Sequence, residues 1–168
     1  VKKGDKRGHY KRRVREKKYV CSCSFGKDSL ATLLLALENG EPLDCVIYVE
    51  VMYDISRGIS GENPLHVRWV YDVAIPKLRE MGVDVVVLRS AVDYVVLFDK
   101  CIVSGKNAGK KRGFPLSRAC HIQRECKLNP IRDYLRANFL DKGYDVIEYI
   151  GIAIDEVDRL KTLSSGSS

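Results

Sequence analysis

The stretch Ser24-Phe25-Gly26-Lys27-Asp28-Ser29 decides how this chain folds. Before it stands Lys18-Tyr-Val-Cys-Ser-Cys23, an alternating run rich in β-formers. After it stands Leu30-Ala-Thr-Leu-Leu-Leu-Ala-Leu37, a run of strong helix formers that stops at Asn39-Gly40. The order is strand, small polar turn, helix. Such a junction leaves backbone N–H groups unpaired at the positive end of a helix dipole, where a phosphate can seat. Gly26 lets the main chain approach an anion, and Ser24 and Ser29 can donate hydroxyl hydrogen bonds. Lys27 adds charge, and Asp28 can hold a Mg²⁺ that accompanies a nucleotide. On these residues alone an ordinary strand–helix turn with a capping serine fits as well. The spacing is not that of the common nucleotide loop, which needs an earlier Gly and a Ser or Thr directly after the Lys.

Working outward, residues 43–51 form a second strand, apolar enough to be buried on both faces. Residues 52–63 read as a loop, and Asn63-Pro64 as the cap and first turn of a helix reaching Met81, which Pro76 should kink or break. Residues 83–88 are a third strand and 91–103 a further helix. A Gly/Lys loop follows (104–113), then a polar segment to Asn129. Asn129-Pro130 reads as a second cap and first turn, opening a helix through Phe139 that Lys142-Gly143 closes. Residues 145–154 are a fourth strand, and 155–163 look helical. Strands alternating with helices imply a parallel sheet covered on both faces, with ligands bound beyond the carboxyl ends of the strands. Those ends fall at 24–29, 50–54, 89–90 and 151–156.

The 168 residues suit one domain, and no apolar run is long enough to span a bilayer. No signal-peptide pattern opens the chain, which begins at Val1 as a processed or trimmed N-terminus would. The net charge of +7 is unevenly placed. Residues 1–18 hold ten Lys or Arg against Asp5 and Glu16, while the remainder carries 19 basic and 20 acidic residues. The pI therefore describes a tail, and the folded body is near neutral. The expected organisation is a basic, flexible arm (1–17), one nucleotide-binding domain (18–163) and a Ser/Gly tail (164–168). A basic arm often touches nucleic acid, and the loop from Lys106 to Arg112 can do the same or close over a triphosphate. Six cysteines without a C-x-x-C pair and without an export signal point to a reducing cytoplasm.

Three further stretches, in order, extend the first motif: Glu50-Val-Met-Tyr-Asp54, Cys120-His-Ile-Gln-Arg-Glu-Cys-Lys-Leu-Asn-Pro130 and Gly151-Ile-Ala-Ile-Asp-Glu-Val-Asp-Arg159. Together they resemble the phosphoadenosine phosphosulfate (PAPS) reductase family of the adenine nucleotide α-hydrolase (PP-loop) superfamily. The likeness covers roughly residues 18 to 161. It implies a three-layer α/β/α Rossmann-like (HUP-type) domain with a five-stranded parallel sheet, order 3-2-1-4-5. It also implies an adenine nucleotide, ATP or PAPS, over the first loop. On this resemblance Ser24, Phe25, Gly26, Lys27, Asp28 and Ser29 form the pyrophosphate loop, although Phe25 stands where many members have Gly. Lys127 and Arg159 supply cations, Glu50 sits near the ribose or base, and Gly151 and Glu156 belong to the late segment, with Glu156 orienting Arg159 or a metal.

The resemblance implies cleavage of ATP at the α–β bond to adenylylate an acceptor, with Lys27, Asp28, Lys127 and Arg159 as the catalytic set and Mg²⁺ on Asp28. Two alternatives stand beside it. One is a sulfonucleotide reductase or sulfotransferase using Cys120 or Cys126 as thiolate, although the C-terminal Glu-Cys-Gly-type segment of true reductases is not found in this sequence. The other is a nucleic-acid-binding or nucleic-acid-modifying module with a degenerate nucleotide site. Cys120 and Cys126, with Cys101, are candidate iron–sulfur ligands, but their spacing favours other roles. A second copy of the chain is the remaining candidate partner.

Overall fold

The structure is a computed structural model, and it describes residues 14–114 and 120–153. Strand β1 (Lys17–Ser22) leads through the polar turn into helix α1 (Lys27–Glu38), and β2 (Cys45–Val49) follows. A small antiparallel hairpin, β3 (Met52–Asp54) with β4 (Ile59–Ser60), occupies the stretch expected to be a loop. Helix α2 (Pro64–Trp69) continues through a π-helical turn (Val70–Ala74) into α3 (Ile75–Glu80). Strand β5 (Val85–Leu88), helix α4 (Tyr94–Asp99), a second π-helical turn (Gln123–Leu128) with α5 (Asn129–Asn138), and β6 (Asp145–Tyr149) complete the described elements.

The main sheet is parallel, in the order β5-β2-β1-β6. Among the described residues this sheet has four strands, not the expected five, so the order 3-2-1-4-5 is not what it shows. The late helix expected at 155–163, and the arm and tail beyond the described residues, lie outside this description. The N-terminal boundary is earlier than expected: Lys17 is already in β1, and the Glu16 carbonyl accepts the Asp145 amide at 2.9 Å.

Alternation along the strands builds two apolar layers. Cys21, Val46, Tyr48 and Val85 face α1, α2 and α3, where Leu33, Val70, Ile75 and Leu78 close one core. Val20, Cys45, Ile47 and Val49 face the other way and meet Ile131, Tyr134, Leu135 and Phe139 of α5. β2 is buried throughout, as its composition requires of a central strand. No helix among the described residues is long and apolar enough to cross a membrane.

The break allowed for at Pro76 and the helix start expected at Asn129-Pro130 are both corrected by one device. Pro76 does not break its helix, and Asn129-Pro130 does not begin one; both prolines sit just after a π-helical turn inside a continuous helical run. A proline lacks the N–H for an i→i−4 bond and crowds the preceding turn. Widening that turn, with Ile75 N–H bonding Val70 O and Asn129 N–H bonding Arg124 O, gives the ring room without ending the helix. The polar segment before Asn129 is therefore itself helical from His121 onward. Helix 91–103 is shortened to α4, capped by Asp93 Oδ1 accepting the Val96 amide at 2.8 Å. Its β-branched end returns instead as a hairpin in which Cys101 bridges Lys111.

Candidate functional site

β1 ends at Ser22 and the chain turns through Phe25, whose φ of 58° is a left-handed conformation rare for a bulky side chain. The ring is 4 % exposed and packs edge-on against Tyr48 (centroids 5.5 Å) and Trp69 (6.3 Å), and this packing offsets the backbone strain. Gly26 is the N-cap of α1 without any side-chain cap, and the amides of Lys27, Asp28 and Ser29 have no acceptor among the described residues. The hydroxyls of Ser24 and Ser29 are 3.2 Å apart, Ser29 Oγ donates to Gly26 O, and Ser24 Oγ accepts the Gly26 amide at 3.4 Å. His66 of α2 braces the turn from outside, with Nε2 3.0 Å from the Ser24 carbonyl oxygen.

In front of those amides lies a cavity of about 700 Å³. It opens at the carboxyl edge of the sheet between β1 and β6, where the chain reverses its direction of travel across the sheet, the usual ligand crevice of an open parallel sheet. Ser24, Gly26, Lys27, Asp28 and Ser29 form one wall. Gln123, Lys127, Leu128 and Ile131 descend from the helical run of 121–138 as the opposite wall, and Ile150 and Gly151 close the end. The corrected start of that helix matters here, because it holds Gln123 and Lys127 one turn apart on a rigid face. Gly151 passes so close to the first turn of α1 that only a residue without a β-carbon fits.

The structure thus brings Ser24, Gly26, Lys27, Asp28, Ser29, Lys127 and Gly151 to one cavity. It does not bring Phe25, which is core, nor Glu50. The Glu50 carboxylate is 4 % exposed and already engaged by Arg89 (2.6 and 2.9 Å) and the Tyr71 hydroxyl (2.8 Å). Burial pushes the Glu50 pKa up, but the hydrogen bonds from Tyr71 and Arg89 outweigh it and hold the group below its ordinary value. Cys126 is buried with its thiol directed to the Val92 carbonyl, and burial pushes it up to about 11. Cys120 accepts the Gln123 amide, and Cys101 lies exposed in the hairpin. No three metal-ligating side chains come together among the described residues. Glu156 and Arg159 lie outside the described residues.

Four polar residues on the cavity wall were not singled out from the sequence: Ser22, Cys23, Gln123 and Glu148. Ser22 Oγ donates to Glu148 Oε1 across the β1–β6 pair. The signal was period-two alternation: Val20 and Ser22 share the α5 face, as do Val146 and Glu148, with the polar member nearest the carboxyl edge in each case. Cys23 is buried, and burial raises its pKa, although the Phe25 amide, the Ser29 hydroxyl and the Lys127 charge oppose the rise. The wall carries two cations and two carboxylates, Lys27 and Lys127 against Asp28 and Glu148.

Comparison with protein-family models, curated proteins and solved structures finds no match to this chain. The functional reading therefore rests on the cavity itself.

Proposed function

We propose that the protein binds an adenine nucleotide in this cavity and cleaves ATP between its α and β phosphates, transferring adenylate to an acceptor. One observation carries the proposal: three open amides at the start of α1 face a roomy cavity with Lys27 and Lys127 on its walls. Helix-terminal N–H groups and flanking cations offset charge where it develops, here on the bridging oxygen that departs with pyrophosphate. The acceptor's nucleophilic atom bonds to the α-phosphorus as the α–β bridging bond breaks, and the electron pair leaves with the β-phosphate. Asp28 and Glu148 suit a Mg²⁺ that arrives on the phosphates, since such an ion needs only one or two protein carboxylates. When bound, it would neutralise phosphate charge. The apolar wall of Ile47, Val49, Leu128 and Ile131 suits a base or ribose. The three-layer HUP-type assignment and membership of the PP-loop superfamily belong to this proposal.

The thiolate alternative is weaker on the geometry, because neither Cys120 nor Cys126 lines the cavity, and the Cys126 sulfur is buried with its pKa raised. The test is ligand-induced stabilisation followed by turnover. ATP with Mg²⁺, and its non-cleavable α,β-methylene analogue, should each raise the melting temperature, while PAPS should do so less. Slow pyrophosphate release from ATP should disappear in Asp28→Ala and Lys127→Ala. If neither ATP nor the analogue stabilises the chain, the reading fails.

A further inference from the structure

A second face at the same edge of the sheet is built from rings and lysines. Tyr53 follows the carboxyl end of β2, and Tyr94 and Phe98 lie on α4, which follows β5. Tyr53 stacks on Tyr94 with centroids 5.4 Å apart and planes 18° from parallel. Phe114 closes the group, 6.0 Å from Tyr94 and 5.1 Å from Phe98. The outer rings are not buried by this association: Phe114 is 66 % and Tyr53 46 % exposed. The Tyr94 hydroxyl, at the centre, is buried and has no hydrogen-bond partner among the described residues.

The hairpin between α4 and Phe114 supplies charge. Residues 94–114 contain Lys100, Lys106, Lys110, Lys111 and Arg112 against the single acid Asp99. Asp99 pairs with Lys111, and the His121 pKa is lowered by burial first and then by the charges of Arg112 and Arg124. Lys100, Lys106 and Lys110 stay exposed on the hairpin that leads from α4 to Phe114. The bonds Ile102 N–H to Lys110 O, Gly109 N–H to Ile102 O and Arg112 N–H to Lys100 O hold the hairpin shut, so its lysines are carried on a defined element.

We infer that this face binds single-stranded nucleic acid, with bases stacking on Phe114 and Tyr53 and phosphates tracking Lys100, Lys106 and Lys110. Exposed aromatic faces interleaved with cations match unpaired bases, because every base has a π-face and every linkage a negative charge. A duplex hides its base faces and leaves only the charge to be read. An acidic protein segment would use the lysines and leave the rings unexplained.

The full chain is titrated by fluorescence anisotropy with labelled oligouridylate, oligothymidylate, a duplex of the same length and polyglutamate over a series of salt concentrations. No nucleotide is added, so the result is independent of the ATP reading. Single strands should bind best, and comparing the uridylate and thymidylate arms tells RNA from DNA. Phe114→Leu, which keeps apolar bulk but loses the π-face, should weaken binding about 5- to 150-fold without changing the salt slope. Phe114→Trp should retain it, which guards against a folding defect. Lys106→Gln and Lys110→Gln should each lower the salt slope by about 0.7. Equal binding of duplex or polyglutamate would overturn the inference. So would binding that survives Phe114→Leu and the lysine variants unchanged, which would assign it to the basic stretch of residues 1–18.

Discussion

A β-carbon placed on Gly151 would stand 2.7 Å from the carbonyl oxygen of Asp28 and 2.9 Å from the Ser29 α-carbon. The loop after β6 and the first turn of α1 are therefore in backbone contact, and the cavity's shape depends on that contact. Both neighbours are main chain, so a new methyl cannot be absorbed by a side-chain rotation. Gly151→Ala should cost about 1–3 kcal/mol in urea unfolding and weaken ATP binding with it. Gly26→Ala is the contrast. Its β-carbon would meet only Ser24 Oγ, at 3.4 Å, and its φ of −71° is ordinary. Stability should hold while the affinity for ATP falls, because the methyl enters the space in front of the open amides. Equal stability losses in the two variants would contradict this account.

Phe25 makes a separable pair of contributions. Its ring fills a pocket between Tyr48 and Trp69, and its backbone is left-handed. Phe25→Ala should lose about 3–5 kcal/mol, since the cavity forms and the strain stays. Phe25→Gly loses the same ring but relieves a conformation worth roughly 1–2 kcal/mol. The glycine variant should therefore be the more stable of the two in paired denaturation curves. Were the alanine variant the more stable, the left-handed strain would have been misassigned.

The strand–turn–helix core of the fold was legible because local and global preferences agree there: alternation in β1, helix formers after Lys27, and a β2 apolar on both faces. The helix before Pro130 was hidden, since a proline normally marks a helix start and nothing local announces a π-helical turn that accommodates it. Glu50 illustrates the other limit. The resemblance places it, at a strand end, near a ribose or base, but Arg89 and Tyr71, far off in sequence, converge on its Oε2. Ser22 and Glu148 became visible as a pair only once β1 and β6 were known to be neighbours.

The Glu50–Arg89 pair should shape acid stability. Because the folded-state pKa of Glu50 is depressed below the ordinary 4.5, its contribution is fully present above that value and is lost as pH falls through the folded value. Arg89→Ala leaves a buried carboxylate with Tyr71 as its remaining strong donor. With the Arg89 side chain 54 % exposed, the cost at neutral pH should be about 2 kcal/mol, between that of exposed and buried pairs. Acidification from neutrality through that window should then destabilise the variant less than the parent, since its Glu50 takes up a proton more readily. Urea titrations across the pH range read this directly, and parallel curves would rule it out.

The six thiols should separate by burial and charge. Burial pushes Cys21 up to about 12, and Cys45 and Cys126 up to about 11, and it raises Cys23 as well; all four are buried. The thiolate is the reactive species, so these groups are protected both by access and by protonation. Cys101 is exposed and Cys120 half-buried. A disulfide reagent at neutral pH should label Cys101 fast and Cys120 slowly, and should reach the other four only on unfolding, with peptide mass spectrometry locating each site. Fast native labelling of Cys126 would mean an accessible thiolate beside the cavity, and would restore the sulfonucleotide chemistry that its burial argues against.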